Sequence, residues 1–466
     1  MQRAPLTLAH RPLLLAVAGL CATWPACADS QTASAPPTSS EPPAAAAPAT
    51  TDADRPSPSG TETAPPFFGL KSSGELRLGW HEQRANAAGP LAAANAVMPG
   101  TAAPPVSSAV TQAELRGQWH TLTANVLLQS ERPDGGPVHS SARVNELYAS
   151  ADLGAWQASV GKKVVSWDVG YAWRPNDMVQ QEERRQLGPT SLAGRPLLQL
   201  EVFDAERAAS LVWVQPQPLQ RNDTERFGAD ESALAARYYQ RLGTLDAYVF
   251  ARAGQHTHAS LGSAAAWVAT DALELHGSLR WSQQHDGIAL DPAAGTAPVS
   301  RNPWQTRTLG AARQTLLGLN WTGQAQQSLI AEWWWDGSAP SDSDWQRWQA
   351  RNAALSTQAA RPGLPAAART GLAGNLAWQT TPLASTGLRR QNVYLRSAWQ
   401  PEPWTLAADL LWTPADAGRI SSLSAKWQGD RLSVEAAWRV CGGPTTALTT
   451  QLPSRQAGTL TAIWSF

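Results

Sequence analysis

The last ten residues of the chain, 457–466 (AGTLTAIWSF), alternate between an apolar face and a more polar one. Phe466, Trp464 and Leu460 share the apolar face. In a soluble protein, a bare strand of this kind would expose an edge that pairs with other chains. A closed transmembrane barrel has no edge, and its final aromatic residue can lie at the membrane interface. The pattern therefore favours a membrane barrel over the edge strand of a soluble β-sandwich.

The same alternation recurs along the chain from Gly74 onward. In residues 273–282, for example, leucines and a tryptophan alternate with Glu274, His276 and Arg280. Successive side chains of a strand point to opposite faces, so each run of about ten residues would present one face to lipid and the other to water. The sequence thus predicts an all-β fold, a transmembrane antiparallel barrel of about eighteen strands. We place these strands near residues 73–83, 112–120, 122–130, 143–152, 156–166, 196–203, 207–215, 232–241, 244–253, 259–269, 272–283, 311–322, 327–336, 389–399, 404–413, 418–428, 431–440 and 457–466.

This assignment puts the short turns at the end of the barrel that holds both termini, and almost every long loop at the other end. Bacterial barrels have short periplasmic turns and longer outer loops, so residues 337–388 are predicted to lie outside the cell. The strand that opens at Pro196 is the least regular of the set. Residues 370–380 would also suit a strand, although one more strand would make the number odd.

Residues 1–28 are predicted to be a secretory signal peptide. A short basic start precedes an apolar stretch at 12–22, and Ala26-Cys27-Ala28 has the small residues of a cleavage site. A lipoprotein alternative, with Cys21 or Cys27 as the lipidated residue, fits the sequence less well.

Residues 29–66 are rich in Ala, Pro, Ser and Thr and have almost no large apolar side chain before Phe67. Such a segment cannot bury enough surface to fold, so we predict a disordered periplasmic linker. The barrel is expected to occupy residues 67–466.

Tryptophan is unusually frequent, with 23 residues against 6 Tyr and 6 Phe. Trp prefers membrane interfaces, where its ring is apolar and its N–H finds a partner. An aromatic ladder inside the pore that grips sugars is the alternative, and Trp334 beside Glu332 is expected to point inward. The tryptophans predicted at the ends of outward faces are Trp80, Trp119, Trp213, Trp281, Trp321, Trp399, Trp412, Trp427, Trp438 and Trp464.

The third outer loop is the candidate functional site, because it combines aromatic residues with charges of both signs. Folded inward, such a loop would narrow a pore and set its charge selectivity. The alternative is a solvated surface loop whose charges pair locally. The pore or constriction candidates are Trp167, Tyr171, Trp173, Arg174, Asp177, Glu182, Glu183, Arg184, Arg185 and Arg195. The inner strand faces are predicted to carry mixed charges, from Arg116, Arg280, Arg396, Arg439, Glu114, Glu274, Glu332 and Glu435.

The run from Gly161 to Asp177 (GKKVVSWDVGYAWRPND) resembles a stretch of uncharacterised, porin-like proteobacterial outer-membrane β-barrels. The resemblance covers this run and the general barrel pattern. It implies a barrel in the bacterial outer membrane and brings no activity with it. The C-terminal strand likewise resembles the assembly signal of that class of proteins. The resemblance implies that the barrel assembly machinery is a partner and reads Phe466, Trp464 and Leu460.

The sequence favours a channel for passive diffusion of small polar solutes, with outer-membrane lipid as its surroundings. The alternative is a plugged structural barrel or an assembly or export partner, with residues 351–388 as the plug. The formal net charge of +0 argues against a nucleic-acid partner. No catalytic motif or phosphate loop is present, and His256-x-His258 is a weak metal signal, so we predict no enzyme, metal or cofactor.

Overall fold

The computed structural model describes residues 69–180, 187–188, 191–215 and 231–466. The predicted signal peptide and linker lie outside these residues and stay predictions.

Eighteen strands form one antiparallel sheet, and every strand placed from the sequence is present. They are β1 (Leu70–Ala85), β2 (Ser108–Trp119), β3 (Leu122–Pro133), β4 (His139–Asp152), β5 (Trp156–Lys163), β6 (Arg195–Phe203), β7 (Arg207–Val214), β8 (Ala233–Leu242), β9 (Leu245–Gly254), β10 (His258–Thr270), β11 (Leu273–Ser282), β14 (Ala312–Thr322), β15 (Gln327–Asp336), β16 (Gln391–Trp399), β17 (Trp404–Thr413), β18 (Gly418–Gln428), β19 (Leu432–Gly442) and β20 (Ser454–Ser465). A separate hairpin, β12 (His285–Leu290) and β13 (Trp304–Leu309), is inserted between β11 and β14.

The sheet closes into a barrel because β1 pairs with both β2 and β20. At the seam, Gly74 and Phe466 exchange backbone hydrogen bonds of 2.8 and 3.0 Å. The Phe466 ring also lies against Gly74, where an added Cβ would be 2.6 Å from a ring carbon. Closure leaves no free strand edge, which is the condition for crossing a membrane with strands.

The two faces of the barrel follow the predicted alternation. On β11, Leu279 is 54% exposed on the outside, while Ser278 on the inside is 2% exposed. On β19, Trp438 points outward and Glu435 and Arg439 point into the interior, where both are buried. Apolar side chains therefore form the outer surface and polar ones the inner wall.

The ten tryptophans predicted at the membrane interfaces all lie on the outward face, in two bands near the two ends of the barrel. Trp404 and Trp412 of β17 belong to different bands and are eight residues apart, about 27 Å along a strand. With the tilt of barrel strands, this separation approaches the apolar band of about 25 Å in such proteins. Trp334, which is 3% exposed, points inward as expected, whereas Trp335 points outward.

The turns at the end of the barrel that holds Leu70 and Phe466 have two to four residues, and the longer connections lie at the opposite end. Three helices occur in the long connections: α1 (Pro90–Val97), α2 (Asp342–Ala359) and α3 (Ala366–Trp378). Residues 370–380, considered as a strand from the sequence, fall mostly in α3. Leu372 and Leu376 are one helical turn apart and are buried together, which favours a helix. None of the described helices is long and apolar enough to cross a membrane.

We call α1, α2, α3 and the β12–β13 hairpin the cap. Ala94, Leu355, Leu372 and Leu376, which come from all three helices, form its core. Arg351 of α2 is fully buried. Its guanidinium donates hydrogen bonds of 2.8–3.1 Å to backbone carbonyls within residues 294–297 of the hairpin loop. It donates another, of 2.8 Å, to the amide oxygen of Asn375 on α3. These bonds tie the hairpin to both long helices.

We expect an epitope tag inserted at Gly363 to be labelled on intact cells. Gly363 lies in the exposed turn between α2 and α3, at the long-loop end. Insertion at Ala354, by contrast, would interrupt α2. A tag in the turn Gly243-Thr244 serves as the control and should be labelled only after the outer membrane is permeabilised. The reverse pattern would mean that the barrel has the opposite orientation.

We expect Phe466→Asp to reduce the yield of folded, heat-modifiable barrel strongly. The substitution alters the predicted assembly signal, while a charge near the interface costs only ~1 kcal/mol or less, so the loss would be kinetic. Trp399→Asp is the matched control, because Trp399 is an exposed aromatic residue on the outward face, and it ends β16 at the same end of the barrel as Phe466. An equal loss in both variants would contradict the predicted role of the C-terminal strand in recognition.

Candidate functional site

The third outer loop, which we call L3, comprises residues 164–194 between β5 and β6. It begins at Val164, whose N–H donates a 2.9 Å hydrogen bond to a carboxylate oxygen of Glu146 on β4. Val165, Trp167 and Met178 are then buried against inward-facing side chains of β6 to β10. Residues 164–180 of L3 therefore follow the inner wall of the barrel.

Trp167 is the first aromatic anchor of L3. Its ring centroid lies 6.2 Å from that of Phe250 on β9. The guanidinium carbon of Arg237 on β8 lies 5.5 Å from the Trp167 ring, a cation–π arrangement. Since Trp167 is 2% exposed, its ring is part of the wall packing and does not project into open space.

Asp168 shapes the loop itself. Its backbone has φ +93°, which is unfavourable for a residue with a side chain. The carboxylate accepts hydrogen bonds from the N–H of Val169 at 2.8 Å and from that of Asn176 at 2.6 Å, and the Ser278 hydroxyl of β11 donates a third. These bonds hold the strained residue in place and join L3 to the wall.

Glu332 on β15 is the main wall residue that anchors L3. Its carboxylate accepts the backbone N–H of Tyr171 at 2.6 Å and that of Ala172 at 2.9 Å. His276 lies 3.0 Å away through Nε2, and both side chains are fully buried. Hydrogen bonds to an ionised carboxylate are stronger than neutral ones, and here they fix two consecutive residues of the loop.

Trp173 connects L3 to the cap. It stacks on Trp334 at 5.9 Å between centroids and 12° between planes, and it meets Tyr394 edge-on. The same apolar cluster includes Trp345 and Trp348 of α2. L3 and the cap thus share one packed core above strands β14 to β19.

The far end of L3 lies near the opposite wall. A Cβ added at Gly188 would lie 3.5 Å from the hydroxyl oxygen of Thr459 on β20. Ser191 then accepts hydrogen bonds from Asn145 at 2.6 Å, through its hydroxyl, and from Arg143 at 2.8 Å, through its carbonyl. The described parts of L3 therefore touch the inner wall at β15 and again at β20 and β4.

The structure brings some of the predicted site residues together. Arg174 donates to Ser166 at 2.8 Å and to the Gly170 carbonyl at 3.1 Å. Asp177 accepts from the Ser166 hydroxyl and from the N–H of Trp167, at 3.4 and 3.3 Å. Arg174 and Asp177 therefore stabilise the inner fold of the loop.

The remaining predicted residues are placed differently. The Tyr171 ring lies against His276, with centroids 5.2 Å apart and planes tilted by 56°, and its hydroxyl accepts a hydrogen bond from Asn320. Arg195 opens β6 and is buried in the wall. Glu182, Glu183, Arg184 and Arg185 lie outside the described residues.

The inner wall carries paired charges of both signs, as the strand faces predicted. Arg396 and Asp409 are 2.8 Å apart, and Asp409 also accepts from the Tyr394 hydroxyl at 2.6 Å. Arg77 lies 2.8 Å from Glu114 on the neighbouring strand. Sequence alternation places such residues on the inner face, but it does not indicate which of them pair, and the anchoring role of Asp168 is not visible in it.

A second polar cluster lies at the outer mouth, in the turn between β17 and β18. Burial alone would raise the pKa of the Asp416 carboxyl. Hydrogen bonds from Thr413 and the Leu448 N–H, and the Arg389 guanidinium at 3.0 Å, outweigh burial and hold that pKa below its usual range. Asp416 therefore stays charged and ties three outer segments together.

The ring nitrogens of His256, in the predicted His256-x-His258 motif, lie 3.1 Å from a carboxylate oxygen of Glu231 and 2.8 Å from one of Asp286 in the hairpin. Among the residues that the structure describes, no group of three His, Cys, Asp or Glu side chains could hold a metal ion. His256 thus links the short β9–β10 loop to the cap.

No known protein family and no curated protein matches the sequence. The resemblance of residues 161–177 to proteobacterial barrels therefore stays a prediction. Among solved structures, OccAB1 of Acinetobacter baumannii is similar over 85% of this chain and 96% of its own length, at 10% identity and a TM-score of 0.51. This likeness shows the barrel fold.

Two further solved structures are similar at lower scores. The similarity to OccK5 (OpdH) of Pseudomonas aeruginosa extends over 86% of this chain and 99% of that protein, at 10% identity and a TM-score of 0.48. The similarity to a mutant of the Rh. blastica porin extends over 85% of this chain and the full length of that porin, at 9% identity and a TM-score of 0.39.

We expect Glu332→Ala to release Tyr171 and Ala172 from the wall without unfolding the barrel. Two buried N–H groups lose their acceptor, at roughly 1–3 kcal/mol each, so their hydrogen exchange should speed up by about tenfold or more. Glu435→Ala is the control, because Glu435 is an inward-facing glutamate of β19 that makes no hydrogen bond to the described part of L3. Unchanged exchange in Glu332→Ala would show that L3 is held by its apolar contacts alone.

Proposed function

We propose that this protein is a channel of the bacterial outer membrane through which small polar solutes diffuse passively. The observation that supports this function best is the closed barrel of eighteen strands with an apolar outer face and a charged inner wall. Barrels of about eight strands are filled by their own side chains, whereas those of about sixteen to eighteen leave room for an aqueous channel. A charged wall favours polar solutes over apolar ones.

The two bands of outward tryptophans support the membrane location, because aromatic girdles mark the two interfaces of such barrels. In this proposal, outer-membrane lipid surrounds the barrel and the barrel assembly machinery inserts it. The described charges of the inner wall pair with one another, as Arg396 does with Asp409, and the proposal includes no catalytic step.

L3 would narrow the channel, since its described residues touch the wall at β15 and again near β20. Its aromatic side chains are buried or half-buried against the wall, and Arg174 and Asp177 stabilise the inner fold of the loop. The predicted site residues include four arginines and three acids. Arginine stays protonated at any relevant pH, so we expect a mild preference for anions.

A plugged barrel that serves as a scaffold or export partner is the second candidate. The observation that favours it is the apolar core shared by L3 and the cap, which fills part of the outer mouth. Arg396 and Arg439 of the inner wall are also only 3% and 1% exposed. A plugged barrel would conduct no ions, so conductance separates the two functions.

In planar bilayers, we expect the wild-type protein to conduct and to prefer anions at low salt. The preference should fade as the Debye length falls from ~10 Å at 0.1 M to ~3 Å at 1 M. Replacing Arg174, Arg184, Arg185 and Arg195 together with serine should shift the reversal potential toward cation preference. The absence of any conductance would favour the plugged scaffold.

The matched control removes the same number of positive charges from exposed positions of the cap, by replacing Arg301, Arg347, Arg361 and Arg369 with serine. These positions are far from the lumen, so the reversal potential should stay close to that of the wild type. If the reversal potential shifts equally in both variants, ion selectivity comes from the overall electrostatic field of the protein and not from L3.

A further inference from the structure

A depression of about 550 Å³ interrupts the lipid-facing wall across strands β18, β19, β20 and β1. Its floor consists of small residues, Ala425, Ala436 and Gly458, which lie on neighbouring strands. Large apolar side chains stand around them, and the only acid in the lining is Glu82. These surrounding side chains are those of Trp80, Leu423, Trp438 and Leu460.

The depression depends on the absence of a side chain at Gly458. The Trp438 ring lies directly over Gly458, and a Cβ there would overlap it. Trp438 therefore lies flat against the wall instead of standing out into the membrane. Trp80 and Trp438 both belong to the band of tryptophans nearer the long loops, so the depression faces the outer leaflet.

Two arginines lie at the outer end of the depression. The Arg84 guanidinium is 5.5 Å from the Trp438 ring, and it donates a 3.4 Å hydrogen bond to Gln456. The Arg419 side chain lies over Gly442 of β19. Its Nε is 3.3 Å from the position that a Cβ on Gly442 would occupy. The Arg84 side chain is 63% exposed, and among the described residues its one ion-pair partner is Glu82 at 3.7 Å. The outer end of the depression thus has a net positive charge.

We propose that this depression binds a phosphate-bearing lipid of the outer leaflet. One acyl chain occupies the groove over Ala425 and Ala436, and the phosphate lies between Arg84 and Arg419. Apolar walls below and arginines above match the division of such a lipid into chain and head group. This inference rests on the proposed membrane location and is independent of conduction.

The shape of the surface argues against a second copy of this chain as the occupant. A stable dimer buries about 800 Å² on each partner and needs complementary surfaces. In a two-fold dimer the same recess of both copies would meet, and two facing recesses leave a void instead of a packed contact. A single flexible chain fits such a recess better.

The test uses the full-length protein in vesicles of phosphatidylcholine that contain a small fraction of phosphatidylglycerol with a photoreactive diazirine in its acyl chain. Cross-linked residues are mapped by mass spectrometry. We expect cross-links to concentrate on residues 423–425, 436–438 and 458–460, which line the depression. Leu234, Val249 and Leu261, which are exposed on the smooth wall of β8 to β10, report the background from bulk lipid.

Removing both arginines, with Arg84→Gln and Arg419→Gln, should reduce cross-linking of the phosphatidylglycerol probe in the depression by roughly tenfold. A phosphatidylcholine probe with the same chain should be affected much less. Arg132→Gln with Arg313→Gln is the control, because these exposed, outward arginines lie at the outer ends of other strands. All of these substitutions are at exposed positions, so folding should be unaffected.

A second variant, Ala425→Phe, should fill the groove and remove the local cross-links while leaving the heat-modifiable barrel and its conductance unchanged. Uniform cross-linking over the whole wall would overturn the proposal. An equal loss of cross-links in the two double-arginine variants would also overturn it. So would protein–protein cross-links at the depression in place of lipid adducts. Absence of conductance alone would overturn the channel function and leave this lipid site standing.

Discussion

The closure between β1 and β20 is the interaction on which the rest of the structure depends. In a bilayer, each backbone N–H and C=O without a partner costs several kcal/mol, and only a sheet with no edge satisfies them all. The Gly74–Phe466 pair completes that ring, and Gly74 allows the terminal ring to pack against the backbone. Once the ring is closed, every strand must place one face in lipid and the other in the lumen.

Charged side chains on the enclosed inner wall need partners that stabilise them. Ion pairs such as Arg396–Asp409 supply some of these partners. Other wall side chains accept hydrogen bonds from backbone N–H groups of L3. Glu332 is the clearest case, since one carboxylate satisfies two amides of the loop and one histidine. The charge that keeps the wall compatible with water thus also fixes the loop inside the barrel.

Sequence reasoning succeeded where the physical rule is local. Alternation with a period of two located the strands, their outward faces and the inward position of Trp334, because a strand has only two sides. It left residues 370–380 open between loop and strand, since a run of Leu, Ala and Gly has no strong period and its helical state depends on contacts with α1. The route of L3 was equally hidden, because Ser278 and Glu332, the wall partners of Asp168 and Tyr171, lie more than a hundred residues away in the chain.

The buried Arg351 has a consequence for how solutes reach the barrel. Its guanidinium is surrounded by carbonyl and amide oxygens of the hairpin loop and α3, and it cannot leave them without stranding a charge in the core. The helices and hairpin must therefore move as one unit, and no part of the cap can open separately. In the proposed channel, a solute would pass this rigid unit through water, with the weak temperature dependence of free diffusion.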